Sequence, residues 1–268
     1  MTVISLVISG ICTAHASDSF IVVDSNNALR VRETRRTKIV PVTHFRGAMA
    51  YWGLAEIGTW NTFQWLSREA NHAHRTFASA EEFAHHIADG LQRKISSTRF
   101  HDPLNTRIGV HFTAYEQIRG FWIPELFYIS NCDPPYELVH SEVKASRRSF
   151  FTISGENDLG RHGEVEYRLA VRTFLQDRML IFNNGDPLMF NQIGNAIRNS
   201  IAIIQQRHEE IRPDQINHYL ELARLPVQVV SSIQRSFMRR DARRVGGKPH
   251  DLAIQPNGLY SSTTGDKP

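Results

Sequence analysis

The sequence lacks most of the features that identify common classes of protein. Its 268 residues contain only two cysteines, Cys12 and Cys132, too few for the disulfide framework of a small secreted protein. No apolar run approaches the length of a membrane-spanning helix, so no membrane partner is predicted. The glycine patterns of Walker and dinucleotide-binding sites are absent as well. What remains is the composition of an ordinary globular protein, with 41% hydrophobic and 22% charged residues.

The histidines do not indicate a metal site. Neither His72 with His74 nor His85 with His86 has the spacing that puts two ligands on one face of a helix. A surface or core role is the better interpretation of both pairs. We therefore predict no metal and no cofactor.

Positive charge is concentrated in one segment of the chain. The net charge is +4 and the pI is about 9.2. The excess comes largely from residues near the C-terminus: Arg235, Arg239, Arg240, Arg243, Arg244 and Lys248. The remainder is close to neutral, so no nucleic-acid partner is predicted. Because Gly, Pro, Ser and Thr follow, residues 235–268 are predicted to form a basic, flexible tail after a domain over residues 2–234.

The first eighteen residues predict a β-hairpin. The apolar run Val3 to Ile8 leads into the turn pair Ser9-Gly10, and a second short strand follows. Folding about this turn brings Thr2 beside Asp18. After removal of Met1, Thr2 would carry a hydroxyl and a free α-amine on one residue, which places a nucleophile next to a base.

The same stretch has a second interpretation. Ala14-His15-Ala16 fits the small-x-small cleavage pattern of a signal peptide. However, no Lys or Arg precedes the apolar run, and Ser5, Ser9 and Gly10 interrupt it. The hairpin is therefore favoured, and cleavage after Ala16 is kept as the alternative.

Further elements follow from apolar spacing and capping signals. Helices are predicted from about Thr59, from Ser79 with Glu82 as a capping box, over 164–182, and from Asp186-Pro187. Strands are predicted over 107–114, 121–129 and 149–154, and Pro226 to Val230 is a candidate for a last strand. Groups of strands alternate with pairs of helices, which favours layered α and β structure over a doubly wound sheet.

This order and spacing resemble the proteasome-type N-terminal nucleophile (Ntn) hydrolases, including proteasome β-subunits and related bacterial homologues. In that family a mature N-terminal threonine begins a strand and an aspartate ends the next one, a spacing that Thr2 and Asp18 reproduce. A lysine then opens an apolar strand, as in Lys38-Ile39-Val40, and small residues precede the first helix, as in Gly47 to Ala50. The resemblance covers roughly residues 2 to 210 and implies an α+β, four-layer αββα sandwich.

The resemblance also implies roles for individual residues. Thr2 would attack a carbonyl carbon with its hydroxyl while its α-amine accepts the proton. Lys38 would assist proton loss by its positive charge, and Asp18 would balance that charge. The backbone N–H of Tyr51 would serve as an oxyanion donor, and Ser154, in its Ser-Gly context, would correspond to the helper serine.

Two positions depart from the family pattern. Tyr51-Trp52 stands where the family has glycines, and bulky side chains there would narrow the substrate cleft. The family's second aspartate has no clear counterpart, with Glu209, Glu210 and Asp214 as candidates.

The sequence therefore predicts a cytoplasmic, threonine-type peptide or amide hydrolase. By resemblance it would act in a homo-oligomeric ring on a peptide or amide substrate, with an ATP-driven unfoldase as a candidate partner. The alternatives are a non-catalytic proteasome-like assembly protein and a secreted binding protein from which residues 1–16 are removed.

Overall fold

The computed structural model describes residues 3–263 apart from 26–27, 34–36, 58, 99–105, 133–138, 150–167, 170, 172–178, 186–189, 208–214, 240–242 and 244. The strands are β1 (Ile4–Ser9), β2 (Thr13–Ser17), β3 (Phe20–Ser25), β4 (Ala28–Glu33), β5 (Ile39–Val42), β6 (Gly47–Gly53), β7 (Glu56–Ile57), β8 (Trp60–Asn61), β9 (Ile108–Ile118), β10 (Phe121–Cys132), β11 (Val139–Ser149), β12 (Met179–Asn184), β13 (His250–Ile254) and β14 (Tyr260–Ser261). The helices are α1 (Thr62–Thr76), α2 (Ala80–Ser96), α3 (Phe190–Arg207) and α4 (Ile216–Phe237).

The first sheet is built around the N-terminal hairpin. Its strand order is β12-β1-β2-β13-β14, and the pairs in it are antiparallel. Within the hairpin Ile4 lies opposite Ser17 and Ile8 opposite Thr13, which confirms the predicted turn between them. Every residue of β1 and β2 is buried. Cleavage after Ala16 would thus remove two central strands of this sheet.

The second sheet has the order β11-β10-β9-β6-β5 and is also antiparallel. The predicted strands over 107–114 and 121–129 are confirmed as parts of β9 and β10, which are joined by a tight turn. In that turn Arg119 and Gly120 both have positive φ, at 48° and 84°. Gly120 therefore occupies a backbone conformation that few other residues adopt without strain.

The predicted fold class is wrong. The described residues form four helices, two five-stranded antiparallel sheets and two separate two-stranded sheets, which does not match the four-layer αββα sandwich of the Ntn hydrolases. One reason is that residues 20–33 pair with themselves, as β3 with β4, and join neither large sheet. Another is that β13 and β14 complete the first sheet from the segment predicted as a flexible tail.

Helices α1 and α2 pack on the second sheet. Ser79 accepts a hydrogen bond from the backbone N–H of Glu82 at 3.1 Å, so the predicted N-cap of α2 is confirmed. Helix α1 begins later than predicted, because Asn61 rather than Thr59 caps it by accepting from the N–H of Gln64 at 3.0 Å. Buried residues of both helices share a core with the inner side chains of the sheet, among them Phe83 and Phe112.

Helices α3 and α4 pack on the first sheet in the same manner. Val3 and Val7 of the N-terminal strand region contact a core that includes Leu220 and Val227 of α4. Pro226 lies inside α4, so the extended strand considered for Pro226 to Val230 is not formed. Residues 179–182 belong to β12, which corrects the helix predicted to extend to Phe182.

The segment predicted as a tail is partly ordered structure. Strand β13 pairs with β2 along its length, with His250 opposite Ser17 and Ile254 opposite Thr13. All five of its residues are buried. This part of residues 235–268 is therefore ordered locally, because its backbone hydrogen bonds are made within the first sheet.

None of the helices in the described part of the chain is long and apolar enough to cross a membrane.

Candidate functional site

The most distinctive polar feature is a buried ion pair beside the first described residue. The Nζ atom of Lys38 lies 2.8 Å from Oδ1 of Asp18, and both side chains are almost completely excluded from solvent. The same Oδ1 accepts a hydrogen bond from the backbone N–H of Val3 at 3.0 Å. One carboxylate oxygen thus connects the lysine to the residue that follows Thr2.

Strand pairing determines where these groups lie. Asp18 follows the last residue of β2, and its backbone N–H donates to the carbonyl of Val3 at 3.1 Å. Lys38 directly precedes β5, the edge strand of the second sheet. Its ammonium also donates to the carbonyl oxygen of Phe20. The ion pair therefore connects the C-terminal end of β2, in the first sheet, to the N-terminal end of β5, in the second sheet.

Burial and pairing act in opposite directions on Lys38. Desolvation lowers the pKa of this lysine below its ordinary value of 10.5, and the attraction and hydrogen bond of Asp18 partly oppose that shift. The net direction is downward, so the ammonium releases its proton more readily than a surface lysine. Lowered lysine pKa values of this kind are common where an amine takes part in proton transfer.

Several predicted site residues lie outside the described part of the chain. These are Thr2, Ser154 and the three candidates for a second acidic group, Glu209, Glu210 and Asp214. Of the residues predicted from the sequence, the structure brings together Asp18 and Lys38.

The backbone N–H of Tyr51 is not available as an oxyanion donor. It donates to the carbonyl oxygen of Lys38 at 3.2 Å, as part of the pairing of β5 with β6. A hydrogen bond within the sheet therefore already occupies the donor that the resemblance assigned to the oxyanion. The tyrosine still lies next to the site, because its bonding partner is the backbone of the buried lysine.

The side chains of Tyr51 and Trp52 do not project from the surface. Tyr51 is 2% exposed and packs in the core under α1 and α2. Trp52 is 4% exposed and lies against Gly109, where an added Cβ would come within 2.1 Å of the indole nitrogen. These two neighbouring residues of β6 thus pack in two different cores. The two large side chains that were expected to narrow a substrate cleft are therefore buried.

The C-terminal segment supports the site in a way that was not predicted. The backbone N–H of Ser19 donates to the carbonyl of Gly246 at 3.2 Å. A Cβ on Gly246 would lie 2.6 Å from the ring of Phe20, so the glycine permits this close approach. The sequence feature that could have predicted β13 is the apolar run Leu252-Ala253-Ile254. This run is so short that it does not distinguish a strand from a loop.

A second buried polar group lies between the two sheets. His15 Nε2 is 2.8 Å from Oγ1 of Thr113, and Asn184 donates its amide to Nε2 of His111. Burial lowers the pKa of each histidine to about 3, and for His15 the neighbouring His111 contributes further. Both rings are therefore neutral at physiological pH. Their Nδ1 atoms have no hydrogen-bond partner among the described residues.

Within the described ranges, no three or more His, Cys, Asp or Glu side chains are close enough together to hold a metal ion. Cys12 and Cys132 are both buried as free thiols.

No family model matches the sequence, and no curated protein matches it.

Proposed function

We propose that this protein is a threonine-type peptide or amide hydrolase whose nucleophile is Thr2 after removal of Met1. The observation that carries the proposal is the buried Lys38–Asp18 pair, joined by one carboxylate oxygen to the backbone of Val3. A buried pair of this kind is costly to desolvate, and hydrophobic residues of similar size are often at least as stabilising. Its location beside the residue after Thr2 favours a chemical role.

The reaction would proceed in two steps. The hydroxyl oxygen of Thr2 attacks the carbonyl carbon of an amide, and the α-amine of the same residue takes the hydroxyl proton. The C–N bond then breaks, the proton goes to the leaving amine, and an ester links the acyl group to Thr2. Water, deprotonated by the same α-amine, hydrolyses that ester and restores the hydroxyl.

Lys38 would lower the barrier to the first step. A positive charge near the hydroxyl stabilises the oxygen as it loses its proton. Asp18 keeps the ammonium in position by a 2.8 Å ion pair, and the carbonyl of Phe20 accepts from the same group. The lysine is thus a positioned charge rather than a mobile surface side chain.

One observation favours a second candidate, a non-catalytic assembly protein that retains the pair without turnover. The N–H of Tyr51, expected to stabilise an oxyanion, is engaged by Lys38 instead. Without another donor, the tetrahedral intermediate would lose stabilisation of the order of 3 kcal/mol. The ring-shaped homo-oligomer, the cytoplasmic location and the ATP-driven unfoldase remain parts of the proposal that rest on the family resemblance.

Intact mass and active-site labelling test the proposal. Purified protein should have lost Met1 alone, and a hydroxyl- and amine-directed electrophile such as an epoxyketone should add once to Thr2. Thr2→Ala should abolish the adduct, and Lys38→Met should slow its formation by roughly a thousandfold if the charge assists deprotonation. Lys144→Met, at an exposed lysine, is the matched control and should label as the wild type does.

Distinct results would contradict each part. Retained Met1, or a wild type that never labels, would exclude the hydrolase and support the assembly protein. Loss of mass through Ala16 would instead support the secreted binding protein.

A further inference from the structure

A pocket lies between the start of α1 and the end of α2, away from the Asp18–Lys38 pair. Its volume is about 590 Å³, within the usual range for small-molecule sites. It shares no lining residue with the candidate site. Two tryptophans, Trp60 and Trp65, form one wall, and their ring centroids are 6.0 Å apart at an interplanar angle of 40°.

Gly90 makes this arrangement possible. The residue lies within α2, where glycine costs about 1 kcal/mol relative to alanine. An added Cβ would lie 2.4 Å from the ring of Trp65. The indole therefore occupies the space of the missing side chain and lies close against the helix. Both tryptophans remain partly exposed at the pocket rather than fully buried in the core.

The charged lining of the pocket is entirely positive. Arg68, Arg93 and Lys94 contribute to it, and no carboxylate is among the lining residues. Arg68 is partly neutralised by Glu69 at 3.0 Å. Within the described part of the chain, the side chains of Arg93 and Lys94 make no ion pair. Lys94 Nζ instead stands 5.9 Å from the ring centre of Trp60.

We propose that this pocket binds a small anion that carries a planar aromatic ring, the chemical class of a nucleoside monophosphate. The aromatic ring would stack on an indole face, which accepts any planar base. The phosphate would be held by Arg93 and Lys94, whose donors suit phosphate oxygens. An uncharged aromatic compound would leave the two cations unused, and inorganic phosphate would leave the indoles uncovered.

Titration calorimetry with AMP, adenosine and inorganic phosphate tests the proposal. AMP should bind, and adenosine and phosphate should each bind at least tenfold more weakly. Trp60→Ala should weaken AMP binding by roughly fivefold or more, because a stacked base is lost. Arg93→Gln with Lys94→Gln should weaken it by about tenfold and reduce its dependence on salt.

Controls separate the pocket from general effects. Trp122→Ala removes a tryptophan outside the pocket that lies under Arg46, and Lys144→Gln removes an exposed lysine elsewhere. Neither should change AMP binding. Gly90→Ala should displace Trp65 and weaken AMP binding while every charge is retained. The Arg93 and Lys94 substitutions, at the helix surface, keep the test usable if Gly90→Ala fails to fold.

Three results would overturn the proposal. One is no AMP binding at millimolar concentration, and another is AMP binding that none of the pocket variants changes. The third is a pocket covered by a second copy of the chain, in which case Trp60→Ala would alter the sedimentation coefficient and AMP would not bind.

Discussion

Two of the buried polar side chains, those of Asp18 and His15, lie three residues apart along the chain and are stabilised in opposite ways. Asp18 forms an ion pair with Lys38 and accepts from the N–H of Val3. His15, in the strand just before it, packs between the sheets with His111, and burial keeps both rings neutral. A buried group thus keeps its charge only where an opposite charge lies within hydrogen-bond distance. Without such a partner, burial favours the neutral form. The charged arrangement lies beside the proposed nucleophile.

The largest expected effect comes from leaving the lysine without its partner. Asp18→Ala removes the carboxylate and leaves the amine of Lys38 buried, which should reduce the free energy of unfolding by about 3–5 kcal/mol. Urea titration at neutral pH measures the change. Adding Lys38→Met to Asp18→Ala should recover a large part of the loss, because the double variant buries no charge.

An exposed pair provides the control for this comparison. Glu142→Ala breaks the ion pair between Glu142, whose side chain is 64% exposed, and Lys144, whose side chain is 70% exposed. This substitution should change the free energy of unfolding by less than about 0.5 kcal/mol. A loss from Asp18→Ala no greater than that of Glu142→Ala would show that burial does not distinguish the two pairs.

The neutral histidines predict a loss of stability in acid. Their folded pKa values of about 3 lie below the ordinary 6.5, so the unfolded chain takes up protons first as the pH falls. Stability should be constant above pH 6.5 and decrease from there toward pH 3, by an amount on the order of 3 kcal/mol between pH 7 and pH 5. Urea titrations at pH 7, 6 and 5 measure this dependence.

One variant of a buried histidine and one of an exposed histidine test whether the buried rings cause the pH dependence. His15→Gln should roughly halve the pH dependence, whereas His85→Gln, at an exposed position of α2, should leave it unchanged. An equal change from both substitutions would mean that the buried rings are not the source.

A smaller effect is expected where the C-terminal segment meets the ion pair. Gly246→Ala places a methyl group against the ring of Phe20, whose carbonyl accepts from Lys38. Overpacking of this kind should cost about 1–3 kcal/mol. Phe20→Leu, added to Gly246→Ala, should relieve the contact and restore part of the stability in thermal unfolding. No recovery would show that the strain is located elsewhere.

The smallest effect concerns the thiol of Cys12, in which burial favours the neutral form, as it does in the two histidines. Burial raises the pKa of Cys12 to about 12, partly opposed by a hydrogen bond with Ser9. The group is therefore protonated at pH 8, and neither buried cysteine should react with a disulfide reagent on a timescale of minutes. Denatured protein should react at both, and rapid reaction of the native protein would contradict the prediction.

The local parts of the structure could be predicted from the sequence, and the distant pairings could not. The N-terminal hairpin follows from a short-range turn at Ser9-Gly10, and the cap at Ser79 from residues within one helical turn. Strand β13 pairs with β2 from the far end of the sequence, and no local signal specifies that register. The hydrogen bond from the backbone N–H of Tyr51 to the carbonyl of Lys38 depends on the pairing of β5 with β6. That pairing was not predicted from the sequence.

The position of β13 has a consequence for the order in which the protein matures on the ribosome. Residues 13–17 leave the ribosome long before residues 250–254, which form the strand that pairs with them. The pairing of β2 with β13 therefore cannot form until residues 250–254 have been made, and the backbone N–H of Ser19 lacks its bond to the carbonyl of Gly246 until that stage. The surroundings of Asp18, at the end of β2, are therefore complete only after β13 has been made.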